Sequence, residues 1–236
     1  SESSLNILKE NSTPDYAALA VRLADGSKSK AVAKAAKDLM TSEVSAYKSA
    51  GALAQMKNDP SKAVKVVASA LKSDDIKYRN SVIDNATSIL GAKNFEKLSS
   101  PAKVDVLNWF GNNKISSVSD IVLGSFSEGV DVASAAITAA GKIGGDKAAK
   151  ALVEQLGGQY NAAAFTALKS FQGNYQEELL TALDGAKDSK TIVRILGLVM
   201  ARRMTAAAPK VYSLIDSDDA ETSLIAKYAL ANIVGH

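Results

Sequence analysis

The sequence predicts an all-α protein, a right-handed α-α superhelix of stacked helical hairpins, from three observations. Segments similar to DVASAAITAAGKIGGDKAAKALVEQL (131–156) recur at offsets of about 28 to 32 residues, and a period of this length is typical of stacked helical repeats. Turn residues divide each segment into two helical halves. No stretch alternates apolar and polar residues with β-branched and aromatic enrichment, so we expect no sheet. At this period, 236 residues make about seven to eight hairpins.

The recurrence can be followed from Gly141 in AAGKIGG. Gly111, in VLNWFGNNK, lies thirty residues earlier. Towards the end of the chain, YALANIVG (228–235) aligns with ITAAGKIG (137–144). Because loops absorb insertions while helices stay in phase, the small changes in offset fit a repeat of two helices.

The clearest repeat shows the two helices directly. Its first half carries small and apolar residues at helical spacing from Ala135 to Ile143. Gly144-Gly145 then stops the helix, and Asp146 is expected to cap the second one. Other helix starts are predicted where a capping residue or a proline precedes an apolar stretch. They are Thr13-Pro14, Asp59-Pro60, Ser73-Asp74-Asp75, Ser100-Pro101, Asp188-Ser189 and Asp216–Asp219.

These residues resemble the HEAT-like repeat of the phycobilisome-lyase type. The positions that match its pattern are Gly141, Ile143, Gly144, Ala148, Ala151, Leu152 and Leu156, and in another unit Pro60, Ala63, Val64, Val67 and Leu71. Two positions depart from it, because Ala133 stands for the frequent arginine and Asp146 for the turn proline. The resemblance implies a single HEAT-like repeat domain over 1–236, with the clearest repeats in 101–236 and more divergent ones in 13–99.

The resemblance implies a non-enzymatic scaffold that binds a protein partner or an adjoining domain of the same polypeptide, as the repeat region of a larger bacterial protein. Helical-repeat enzymes and nucleic-acid-binding proteins of the HEAT-like DNA glycosylase type are the alternative class. That alternative would use the basic segment 28–72, which holds nine lysines and three acidic residues.

The residues available for catalysis and for metal binding are few. The chain has no cysteine, and its one histidine is His236, which excludes the common zinc ligand sets and the Ser-His-Asp and Cys-His nucleophile systems. Acidic pairs such as Asp74-Asp75 and Asp218-Asp219 precede helices, where carboxylates favour the positive end of the helix dipole. We therefore expect no enzymatic activity, no metal site and no cofactor.

The basic segment has two interpretations. Its lysines could meet an acidic partner or a phosphate backbone. They could equally be solvated side chains, since the segment has no arginine and Tyr47 is its one aromatic residue. Lys30, Lys34 and Lys37 share one helix face and are the candidate contacts. Since phosphate recognition favours arginine and base stacking needs aromatic rings, nucleic-acid binding is not expected.

Four further residues are candidate partner contacts. Trp109, next to the apolar Phe110, either packs between repeats or is exposed as an anchor for a partner, because tryptophan is enriched at binding hot spots. Arg194, Arg202 and Arg203 lie along and after the apolar run ILGLVMA. They either stabilise a helix carboxyl end or form a site for an anionic partner.

The C-terminal helix, predicted over 219–234, is apolar around more than one stripe, whereas a capping helix should have a polar outer face. We therefore expect either a continuation of the array or a homodimer through this end. No apolar run is long enough to span a membrane. The absence of cysteine slightly favours a periplasmic or secreted location over a cytoplasmic one.

Overall fold

The structure is a computed structural model that describes residues 14–23, 29–70 and 72–235. The chain divides into two compact units, residues 1–103 and 104–236. Within the described residues there are fifteen α-helices and no strand, which confirms the all-α class. Predictions that fall on Thr13, Lys28, Leu71 and His236 lie outside the described residues.

In the first unit, six helices can be described. They are α1 (Pro14–Leu23), α2 (Lys30–Leu39), α3 (Ser45–Asn58), α4 (Ala63–Ala70), α5 (Ile76–Ile89) and α6 (Ala92–Phe95). Alternate helices touch, since α3 contacts both α1 and α5, while α2 packs on α3 and α4 on α5. Small residues allow these close approaches: a Cβ atom at Gly51 of α3 would lie 2.3 Å from the carbonyl oxygen of Ala36 on α2.

Nine helices belong wholly or mostly to the second unit. They are α7 (Ser100–Asn112), α8 (Ser119–Gly124), α9 (Val130–Ile143), α10 (Asp146–Glu154), α11 (Asn161–Lys169), α12 (Gln176–Gly185), α13 (Ser189–Ala201), α14 (Ala208–Tyr212) and α15 (Ala220–Val234). The odd-numbered helices α9, α11, α13 and α15 contact one another in succession, and α10 contacts α8 and α12. Apolar side chains fill the space between the odd and even helices, including fully buried Phe110, Leu152, Leu168 and Ile195.

The glycines that mark the repeat lie where odd helices approach most closely. A Cβ atom at Gly111 would be 2.7 Å from the Cα atom of Ala139, and one at Gly141 would be 2.8 Å from the Cβ atom of Ala167. Both distances are shorter than side chains tolerate, so only glycine fits here. The recurrence of Gly111 and Gly141 in the sequence therefore corresponds to a recurrent helix contact.

Most predicted helix starts are confirmed. Asp59, Asp75, Asp188 and Asp219 each accept a backbone N–H two or three residues ahead, as N-cap residues do. The prediction for Asp146 is wrong, because Asp146 is already the first helical residue and Gly145 holds the cap position without a side-chain bond. Gly144 and Gly145 have φ values of 82° and 90°, a left-handed conformation that lets α10 start directly after α9.

We expect two of the capping carboxylates to make the protein acid-labile. The Ser45 hydroxyl and the Tyr78 N–H lower the pKa of Asp75, and the Thr222 N–H lowers the pKa of Asp219, from the ordinary 3.8. A lowered folded-state pKa stabilises the fold above the unfolded value, and that contribution is lost as the pH falls through the folded value. The thermal midpoint, followed by circular dichroism, should therefore drop steeply below pH 4.

Asparagine caps a helix but does not titrate in this range, so the double variant Asp75→Asn, Asp219→Asn should show a flatter midpoint between pH 2 and 5. The matched control is Asp131→Asn, since Asp131 is exposed in the first turn of α9 and caps no helix. An acid dependence that the double variant leaves unchanged would contradict this assignment.

Candidate functional site

Trp109 is a buried side chain of α7. Its residue is 7% exposed, and its ring lies 5.4 Å, centroid to centroid, from that of Phe110. The buried Nε1 atom has no hydrogen-bond partner among the described residues. An indole buried to this degree offers little surface to a partner, so its position agrees with the packing interpretation.

Arg202 follows the last residue of α13 and holds the loop between α11 and α12. Its Nη1 atom donates to the carbonyl oxygen of Phe171 at 3.0 Å, and Nη2 donates to that of Gly173 at 2.9 Å. The guanidinium also lies 5.3 Å from the ring centroid of Tyr175. Two N–H donors and one face of the guanidinium thus contact residues of the chain itself.

The loop that Arg202 holds contains an aromatic pair that the sequence analysis did not single out. Tyr175 is fully buried, and its hydroxyl donates to the carbonyl oxygen of Leu168 at 2.8 Å. Its ring meets that of Phe171 edge-on, with centroids 5.7 Å apart. Burial raises the pKa of Tyr175, although the charge of Arg202 acts in the opposite direction. The two rings therefore form a core under the carboxyl end of α11.

Arg194 is also engaged within the second unit. It is half-buried on α13, and its Nη1 atom donates to the carbonyl oxygen of Leu156 at 3.3 Å. Leu156 follows α10, so this bond joins residues 38 positions apart within the second unit. Arg194 is thus another arginine whose guanidinium contacts the chain itself.

Arg203 and Lys114 share an uncommon backbone conformation. Their φ values are 50° and 51°, and they are the two described residues other than glycine with positive φ. Each lies just past an odd helix, where the next residue closes the helix end: Met204 N–H bonds to Val199, and Ile115 N–H to Phe110. This is a Schellman end, in which glycine usually holds the left-handed position. Lys114 was not predicted from the sequence, because no glycine marks the end of α7.

Lys114 and Arg203 belong to a row of cations at the carboxyl ends of the odd helices, here named the carboxyl-end row. Its members, one from each of α7, α9, α11 and α13, are Lys114, Lys142, Lys169 and Arg203, and all four are exposed.

Several contacts show that these helix ends are neighbours. Lys142 Nζ donates to Asn112 Oδ1 at 2.7 Å, which joins the ends of α7 and α9. Gly141 meets Ala167, which joins α9 to α11, and Arg202 joins the end of α13 to the loop after α11. The four cations therefore follow one edge of the second unit.

The candidate lysines of α2 lie in the first unit, all exposed. Lys34 is paired with Asp38 at 2.9 Å, and Lys30 is at the helix start. Lys37 borders a cavity of about 330 Å³ between α2 and α3, together with Lys62, which is 3.4 Å from Asp59. Lys34 and Lys62, two lysines of the basic segment, are thus paired with carboxylates.

Helix α15 exposes large apolar side chains on its outer face. The exposed fractions are 58% for Leu224, 64% for Tyr228 and 60% for Val234, while Thr222, Ala226, Ala229 and Ile233 are buried against the unit. The apolar outer stripe is therefore present as the sequence indicates. That a second copy covers it stays a prediction.

The described residues offer no candidate metal site and no candidate membrane span. They contain no group of three or more His, Asp or Glu side chains placed to hold a metal ion. No helix in the described part of the chain combines the length and hydropathy needed to cross a bilayer. Comparison with known proteins adds no assignment: no protein-family model matches the chain, and no curated protein is significantly similar to it.

Proposed function

We propose that this chain is a HEAT-like array, a right-handed superhelix of seven to eight hairpins, that acts as a non-enzymatic protein-interaction scaffold. The observation that supports it best is the succession of contacts between odd helices of the second unit, α9 to α11, α11 to α13 and α13 to α15. Such stacking buries the apolar faces between neighbours and leaves one row of helices available to a partner.

Long-range bonds repeat with the same period as the sequence. Tyr160 donates to the carbonyl oxygen of Glu128, 32 residues earlier, and Lys142 donates to Asn112, 30 residues earlier. Each bond joins a residue to the equivalent region of the preceding repeat. Bonds between neighbouring repeats are expected of a repeat array and support the proposal.

The exposed face of the odd helices is the binding surface in this proposal. Thr138 on α9 and Thr166 on α11 are exposed equivalents 28 residues apart, each bonded to a carbonyl oxygen of its own helix. Small polar side chains of this kind allow a partner backbone to approach. The proposal assigns the chain a binding function rather than a catalytic one.

Site-specific photo-crosslinking tests the proposal. A photoreactive amino acid is placed at Thr138 or Thr166, and in matched controls at Lys150 on α10 or Glu177 on α12, which are exposed on even helices. We expect one protein, identified by mass spectrometry, to be captured from the odd-helix positions, and the purified pair to form a complex. Equal capture from both sets of positions, or no binary complex, would overturn the proposal.

A further inference from the structure

The spacing of the carboxyl-end row restricts the kind of partner it can bind. Packed helices lie about 8–10 Å apart, so cations at the ends of α7, α9, α11 and α13 follow one another at about that interval. A polyproline II helix rises about 3.1 Å per residue with three residues per turn. One side of such a peptide therefore presents a side chain about every 9 Å.

Backbone conformation supplies a second, independent observation. Lys114 and Arg203 occupy left-handed positions, where a side chain other than glycine carries a steric cost. At the end of α9 the positive φ belongs to a glycine, Gly144, whose ψ is −164°. A strained conformation held by an exposed charged side chain points to a role for that charge.

The cations of the row are available to a ligand. The side chains of Lys114, Lys169 and Arg203 form no hydrogen bond or ion pair with another described residue. Lys142 bonds to the neutral amide of Asn112, which orients its ammonium without neutralising it. Within the odd helices, acidic residues lie at the opposite ends, as Asp131, Asp188, Asp219 and Glu221 do.

We propose that the carboxyl-end row binds an extended acidic segment of a partner protein, in the polyproline II conformation, with a carboxylate at every third residue. The inference rests on the scaffold function proposed above and names its partner class. Each carboxylate pairs with one cation, while the backbone of the peptide follows the edge formed by the helix ends. Proline in the segment helps, because a peptide already in this conformation loses less entropy on binding.

Carboxylates of the even helices share this edge and limit the affinity. Asp120 at the start of α8 is paired with Lys147 at 3.0 Å. Asp146, Glu177 and Glu178 lie in the first turns of α10 and α12, where the helix dipole offsets their charge. Because the proposed contacts are ion pairs between exposed groups, binding should weaken as the salt concentration rises.

Duplex DNA fits the row less well than an acidic peptide. A double helix carries one phosphate per about 1.7 Å of its axis, so cations about 9 Å apart neutralise a small fraction of it. The row also contains no aromatic side chain on which bases could stack.

The test measures binding of a fluorescent peptide, (Glu-Pro-Pro)₅, by anisotropy at low and at physiological salt. A peptide of equal composition with its glutamates grouped in one block is the spacing control. The test variant is Lys114→Gly with Arg203→Gly, which removes two charges but suits the left-handed backbone. The control variant is Lys187→Gln with Lys190→Gln, since both lysines are exposed at the opposite helix ends.

We expect the test variant to bind the spaced peptide about tenfold more weakly, as the loss of two surface ion pairs allows. Its thermal midpoint should be unchanged or higher, while the control variant binds as the parent does. Equal weakening in both variants, equal affinity for both peptides, or tighter binding of duplex DNA would each overturn the inference. If crosslinking still captures a partner from Thr138, only this inference fails; if no partner is captured either, the scaffold function fails with it.

Discussion

Replacing Phe171 by alanine should lower the free energy of unfolding by about 3–5 kcal/mol, the usual cost of removing a buried aromatic ring. Phe171 is 1% exposed and lies edge-on to Tyr175, so its removal leaves a cavity beside a fully buried ring. The carbonyl group of Phe171, which Arg202 binds, should lose its fixed position as well. Urea denaturation followed by circular dichroism measures the loss.

Two variants show whether the cost comes from the aromatic core. Tyr175→Phe keeps the ring but removes the hydroxyl bonded to Leu168, so we expect a loss of about 1 kcal/mol. Tyr212→Ala removes a tyrosine that is 64% exposed and should stay within about 0.5 kcal/mol of the parent. If Phe171→Ala cost no more than Tyr212→Ala, the core under α11 would not be as described.

Replacing Gly141 by alanine should destabilise the protein by about 1–3 kcal/mol, although alanine is the better helix former. The added Cβ atom would lie 2.8 Å from the Cβ atom of Ala167, so α9 and α11 must move apart. Gly111→Ala should act in the same way, because its Cβ atom would lie 2.7 Å from the Cα atom of Ala139.

Gly124→Ala is the matched control. Gly124 also lies in a helix, with φ at −60°, and nothing is within 4 Å of the position of its Cβ atom. The gain in helix propensity should therefore raise the free energy of unfolding by up to about 1 kcal/mol. A stabilising effect of Gly141→Ala in the same urea titration would show that the two helices are not in tight contact.

Alanine is expected to lower the free energy of unfolding at Gly141 and to raise it at Gly124. This difference separates the glycines that the repeat requires from those that it does not. Gly111 and Gly141 recur at the repeat period in the sequence, and both lie at a close contact of odd helices. Gly124 has no equivalent in that alignment and borders open space. The period of a repeat can therefore identify a contact residue from its position in the sequence, because equivalent residues meet equivalent neighbours in each unit.

The features that the sequence determined by itself depend on residues close together in the chain. Helix starts at Asp59, Asp75, Asp188 and Asp219 follow from side chains that bond to the backbone two or three residues away, a distance within the reach of a sequence pattern. The absence of strands from the described residues has the same basis, since helical spacing of apolar residues extends along each segment.

What the tertiary structure alone decided depends on residues far apart in the chain. Arg202 takes its partners from residues 29 and 31 positions earlier, and Trp109 is buried by packing that one helix cannot supply. Lys114 and Arg203 adopt left-handed conformations although neither is glycine, because the Schellman bonds that close α7 and α13 require that backbone whichever residue is present. Long-range packing and backbone geometry, rather than residue type, determine which cations bond to other residues of the chain and which stay exposed in the carboxyl-end row.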